Sequence, residues 1–341
     1  MRFHDRDATQ IENDHLRVTI LNEGGHIAEI FHLETGISPL WIPPWKSIEP
    51  SVYDPALHPE YGLNSESKLL AGIMGHNLCL DLFGPPSAEE AMAGMTVHGE
   101  SSIVRYNVEA GEDRLRATAE LPLSGLKIER TLTLSGDEAR MRISESVENL
   151  SALDRPIAWT EHVTLGPPFL EPGVTRFSLI SKRSRVYEAS GFDEGNLVTG
   201  ADFTWPRAPL NGDGSIDLSV FTKAAKSSKF TTHLMDTASQ TAFFAAYSPT
   251  LKLLVRYDWK REDFPWLGIW EENKARTTPP WNGKTIACGM EFGASPFPET
   301  RRQMIDRGHL FGVPAFRWLP AKTRASVDYS VSLRAAEGQS D

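Results

Sequence analysis

The chain has 341 residues, 40% of them hydrophobic, with a formal net charge of −10 and no basic block. That balance argues against nucleic acid or an anionic membrane as the main partner, because both demand clustered Lys and Arg. No apolar run approaches the roughly 20 residues of a spanning helix, and the opening Met1–Asp7 stretch has no apolar leader core, so the expectation is a soluble, cytoplasmic protein. Only Cys79 and Cys288 occur, which makes neither a zinc-ligand pattern nor a disulfide framework; two buried, inert thiols are expected.

Taken in order, Leu16, Val18 and Ile20 alternate with Arg17 and Thr19 as in a half-buried strand, and Gly24-Gly25 turns the chain into a returning strand over 26–32. Glu34-Thr35-Gly36 permits another turn into a strand over 38–42. Residues 43–100 carry too many Pro and Gly for long regular elements, yet their Trp, His, Tyr and Leu content predicts order. Long ordered loops of that kind usually build a site. Inside this region Ser87 as N-cap, with Glu89 and Glu90 in the first turn, predicts a short helix to Gly94.

Strand patterns dominate afterwards, over 102–110, 114–121, 126–134, 139–144 and 155–164, and again over 230–235, 241–248, 251–257, 285–292 and 327–333. In 126–134, Leu126, Ile128, Leu132 and Leu134 share one face. Residues 190–229, rich in Gly, Asp and Pro, read as an insertion with little core, and 299–307 is the one other good helix candidate. About fifteen short strands with very few helices predict an all-β sandwich or barrel, a single domain over 1–341.

The chain has no phosphate-cradling Gly-rich loop and no Gly-x-Ser-x-Gly elbow, so histidine and carboxylate carry the candidate chemistry. His98, in Val97-His98-Gly99-Glu100, is either a surface-turn histidine or a site residue beside a glycine that admits a close ligand. Adjacent strand residues face opposite sides of a sheet. Only one of Glu161 and His162 can therefore face a site, and the reading assigns His162. Glu291, among the small and apolar residues of 286–293, is either a core ion-pair partner or a carboxylate whose raised pKa suits a general base. Of nine tryptophans, Trp41, Trp45, Trp266, Trp270 and Trp281 lie in Pro-rich segments. They either plug long loops or stack on a sugar ring, and Pro265–Glu272 is the best candidate for such a wall.

Three features together resemble the galactose mutarotase-like, or aldose 1-epimerase, superfamily: a His-Gly step entering a strand after a long loop, a second strand-borne histidine, and a late strand glutamate before a Pro-rich turn. The Leu16–Ile30 hairpin and Pro265–Trp270 are similar to that family as well. The resemblance implies a large antiparallel β-supersandwich with a sugar cleft on one face, and anomer interconversion without metal or organic cofactor. It makes Glu291 the base at the anomeric hydroxyl, His162 the acid at the ring oxygen, and His98 a contact that orients the sugar. The family's Asn-Arg pair is matched by Gly75-His76-Asn77-Leu78, which keeps Asn77 as a sugar contact and offers His76 where the arginine is missing. Asp236 is the counterpart offered for the family's aspartate, Trp266 and Trp270 are further substrate contacts, and a homodimer stays open.

Three other readings compete. One is a non-catalytic carbohydrate-binding protein on the same scaffold; the matched acid and base favour the enzyme over it. Another is a metal-dependent β-barrel isomerase using His98, Glu100 and His162, although no His-x-His occurs. The last is a glycoside hydrolase or lyase with Glu161, Glu271 or Glu272 as its second carboxylate.

Overall fold

Strand alternation decides the layers. In Leu126–Leu134 every second residue is buried, and the same period runs through Arg140–Asn149 and Arg114–Leu121. The computed structural model, which describes residues 1–189 and 196–336, joins these strands into an eight-stranded antiparallel sheet. A twelve-stranded sheet covers its apolar face, and both contribute to one core that includes Ile128, Ile143 and Val255 on one side and Val18, Trp159 and Leu267 on the other. This is the expected all-β supersandwich, with three short α-helices among the described residues. None of those helices is long and apolar enough to cross a membrane.

At the centre of the larger sheet, His76–Asp81, Arg155–Leu165, Ile286–Gly293, Trp266–Asn273 and Ser227–Met235 lie side by side in that order. Several differ from the sequence expectation. Both His76–Asp81 and Trp266–Asn273 are buried on both faces, which erases the alternation that would mark them as strands. Trp266 and Trp270 therefore sit in a regular strand and not in a Pro-rich loop. Residues 38–42 form no strand; Leu40 alone bridges Leu165. The strand expected from 102 starts at Asn107, because Ser101 and Ser102 turn inward and donate to the Leu78 carbonyl at 2.6 and 2.8 Å.

Ser87 and Glu90 close a capping box on the helix Ala88–Met92, and Thr300 and Gln303 close one on Arg301–Arg307. A third helix, Ser67–Gly72, lies within the Pro- and Gly-rich stretch, with no side-chain cap to mark its start. Of the expected insertion, 190–195 lie outside the described residues; Asp202–Phe203 extends the large sheet, and Arg207–Pro209 pairs with Ser215–Asp217 over a small apolar cluster. Cys79 and Cys288 are buried and free, and burial pushes both thiols up.

Charge is buried between the sheets. Arg130 occupies an inward position of its strand and bonds Glu145 at 2.6 Å, Glu161 at 3.1 Å and the Gly25 carbonyl at 3.0 Å. The Tyr329 hydroxyl lies 2.9 Å from Glu145 and 2.8 Å from Glu161. One hydroxyl proton cannot serve both oxygens, so one carboxyl must donate to the tyrosine oxygen. Burial pushes Glu145 up to about 7, against the pull of Arg130. Arginine, one carboxylate and one carboxylic acid then leave the cluster neutral.

Buried histidines set the acid response of the fold. Burial holds His26, His98 and His233 down at about 3, against an ordinary value of 6.5. Below pH 6.5 their unfolded forms take up protons while the folded forms stay neutral to about 3. Stability is therefore lost across that window by about 1.4 kcal/mol per pH unit for each histidine. Glu145 acts in the opposite sense between 7 and 4.5, against these three and the buried His76, which is held down as well. The urea-unfolding free energy is expected to fall steadily from pH 6.5 to pH 5, and a flat or rising profile would contradict this.

Candidate active site

The central strands place His162 directly opposite Glu291, with Asn77 beyond the histidine and Gly268 beyond the glutamate in the same cross-sheet row. Directly opposed residues on neighbouring antiparallel strands bring their side chains together. The His162 Nε2 lies 3.0 Å from Glu291 Oε1, and both side chains are almost fully buried. Two residues along the same face, the Thr164 hydroxyl is 3.0 Å from His162 Nδ1. A hydroxyl can donate to a bare Nδ1 or accept from a protonated one, so Thr164 holds the ring in place in either state.

Space for the carboxylate comes from a glycine. A Cβ at position 289 would lie 2.3 Å from Glu291 Oε1. Gly289→Ala is expected to push the carboxylate off His162, a displacement read from a crystal structure of the variant, with the fold retained by circular dichroism. A carboxylate still in contact with the imidazole would show that the glycine does not set this geometry.

His98 reaches the same place from a loop. Its backbone is held at φ +67°, in the left-handed region, a conformation that costs a non-glycine residue about 1–3 kcal/mol. Gly99 follows at φ +79°, where a Cβ would come within 2.1 Å of the Leu80 carbonyl oxygen. The Glu100 carboxylate ties the loop down by accepting from the backbone N–H groups of Leu123 and Ser124, each at 3.0 Å. His98 Nδ1 lies 2.7 Å from the Phe83 carbonyl oxygen, to which it donates. Burial first, then the nearby His162, hold His98 neutral at about 3. Its Nε2 is consequently a bare acceptor, and its ring centroid stands 4.9 Å from that of His162.

These three residues share a cavity of about 380 Å³. Trp270 stands 6.0 Å from the His162 ring, and Trp41 stacks on Trp281 at 6.3 Å with 16° between planes. The Arg276 guanidinium covers Trp281 at 4.8 Å and is 3.7 Å from Glu66 and from Glu272. Thus His98, His162, Glu291 and Trp270 of the expected site line one cavity.

The other expected residues lie elsewhere. Asn77 neighbours His162 in the row but turns its amide to Ser102 at 3.2 Å. His76 faces the inter-sheet core, where its Nε2 is 2.9 Å from Glu161. Trp266 is fully buried and donates to the Pro314 carbonyl at 2.9 Å. Asp236 caps a turn beyond its strand by accepting from the Ala238 N–H at 3.0 Å.

The remaining carboxylates are also engaged away from the cavity floor. Glu161 belongs to the Arg130 cluster, Glu271 pairs with Lys229, and Glu272 accepts from the backbone N–H groups of Ala275 and Arg276. Among the described residues no three His, Cys, Asp or Glu side chains are grouped to hold a metal ion. Glu66, Arg276, Phe230 and Tyr187 also line the cavity, and no sequence pattern singled them out. Trp41 and Trp281 did carry a signal, as tryptophans among prolines.

Comparison with solved structures places the fold. A candidate aldose 1-epimerase from Klebsiella pneumoniae superposes with a TM-score of 0.64 at 15% identity, covering 94% of this chain and 77% of that one. A galactose mutarotase-like protein from Clostridium acetobutylicum gives 0.60 at 15%, over 96% and 95%. A galactose mutarotase related enzyme from Lactobacillus acidophilus gives 0.59 at 11%, over 97% and 98%. No family model and no curated protein matches the sequence. At these identities the likeness is one of architecture, and on that evidence the chain has the galactose mutarotase-like fold.

Proposed function

We propose that the chain is an isomerase of the aldose 1-epimerase type, acting on a small sugar in this cavity. The observation that carries the reading is the 3.0 Å contact between His162 Nε2 and Glu291 Oε1. Opening a cyclic hemiacetal needs a base at the anomeric hydroxyl and an acid at the ring oxygen, and both oxygens sit on C1. An acid and a base in mutual contact match that pair of neighbouring oxygens.

Glu291 takes the O1 proton, O1 and C1 become a carbonyl as the C1–O5 bond breaks, and His162 gives its Nε2 proton to O5. Rotation about C1–C2 and the reverse transfers close the ring on the other face. His98, with a bare Nε2, accepts a hydrogen bond from a sugar hydroxyl, so it holds the ring without competing for O5. Trp270 and Trp41 line the cavity and offer aromatic surface to the C–H side of the ring.

The test is anomer exchange by saturation-transfer NMR on a panel of aldoses. Acceleration over buffer is expected for at least one of them. Binding without exchange would mark a carbohydrate-binding protein, and neither binding nor exchange would remove the sugar reading.

A further inference from the structure

The floor and the mouth of the cavity carry different carboxylates. Glu291, 2% exposed, is engaged with His162. Glu66, 31% exposed, lines the same cavity and stands 3.7 Å from Arg276, beyond hydrogen-bond distance. No donor among the described residues bonds its carboxylate. Several other polar groups of the lining are already engaged. Thr164 meets His162, the Asn64 amide oxygen accepts from the Glu66 N–H and the Ser67 hydroxyl, and the Tyr187 hydroxyl donates to the Pro298 carbonyl.

The chain holds Glu66 in place. Asn64 Oδ1 accepts from the Glu66 N–H at 2.9 Å, closing a turn just before the helix Ser67–Gly72. The Ser65 carbonyl accepts from the Thr96 hydroxyl at 2.6 Å and from the Val97 N–H at 3.3 Å. Both bonds tie this segment to the one that carries His98, so the mouth carboxylate has a fixed place relative to the floor.

An ionised carboxylate is an acceptor only, with room for two donors side by side. Vicinal hydroxyls of a sugar supply such a pair. With C1 held at Glu291 and His162, the ring atom opposite is C4, so the hydroxyls at C3 and C4 lie at the end away from the reaction. Arg276, the cation of the lining, stands 3.7 Å from both Glu66 and Glu272. A phosphate at this end would meet two carboxylates for one guanidinium.

From this arrangement we infer that Glu66 is a specificity-determining residue, which binds the C3 and C4 hydroxyls of an unphosphorylated aldose. The inference rests on the sugar reading above and names the substrate class of that same site.

Binding by saturation-transfer difference titration and anomer exchange are measured separately on the full chain, for the wild type, Glu66→Gln and Glu66→Lys. The probes are glucose and galactose, their 2-, 3- and 4-deoxy forms, and their 6-phosphates. Glu66→Gln is expected to weaken binding of the better-bound hexose about tenfold or more, raising KM with kcat kept. The 3- or 4-deoxy form should bind the wild type weakly and be indifferent to the variant. The 2-deoxy form should lose affinity as its parent does. The phosphates should bind the wild type worst, and Glu66→Lys should narrow that gap. Equal losses for the parent hexose and for both its 3- and 4-deoxy forms would make Glu66 a structural residue and overturn the inference. An unchanged affinity in Glu66→Gln, or phosphates that bind the wild type best, would overturn it too. Sugars that bind in the expected pattern without exchange leave it standing and overturn the isomerase reading. Failure of every sugar to bind overturns both.

Discussion

Glu291→Gln is expected to slow anomer interconversion by about 10²–10⁴-fold, the usual worth of a positioned acid or base. The amide keeps the shape of the side chain and its place opposite His162 but cannot take a proton. Sugar affinity should change little, because aromatic faces and His98 remain in the cavity. The loss then falls on kcat and kcat/KM together, the signature of an interaction needed only in the transition state. His162→Asn is expected to lose as much, since asparagine has no proton to release near neutral pH. A rise in KM with kcat intact would instead make Glu291 a binding group.

The second large effect lies behind the site. Arg130→Met is expected to destabilise the fold by about 3–5 kcal/mol, the cost of leaving a buried charge without its partner. Arg130 holds both Glu145 and Glu161 and is itself almost fully buried. Glu161 precedes His162 in the same strand and faces the other way, so this cluster anchors the backbone that carries the candidate acid. Glu145→Gln should be milder, because the amide keeps the shape of the side chain and Arg130 keeps Glu161 as its partner. Urea-unfolding midpoints measure both, and equal losses in the two variants would contradict this order.

Much of this architecture is legible in the sequence wherever a strand has one face in the core and one in water. Leu126–Leu134 and Arg324–Ala335 announce themselves by alternation. Among the central strands His76–Asp81 and Trp266–Asn273 do not, since a strand covered on both sides has no polar phase to read. The same alternation held a clue to the buried cluster. Arg130 shares the phase of Ile128 and Leu132 in its strand, and Glu145 shares that of Met141 and Ile143.

For the site, strand parity separates His162 from Glu161, and the His98-Gly99 step marks a backbone that only a close approach explains. Register is what sequence leaves out. Whether Glu291 meets His162, or Asp236 and His76 reach the cavity, depends on pairing between strands far apart in the chain. Arg276 and Glu66 come from loops whose course follows no period.

The most direct test of the central claim is a double-variant cycle on whichever aldose shows the fastest exchange. If Glu291 and His162 act as a unit on one hemiacetal carbon, Glu291→Gln/His162→Asn should lose little more than the worse single variant. Losses that multiply, or exchange that survives in either single variant, would contradict a paired acid and base.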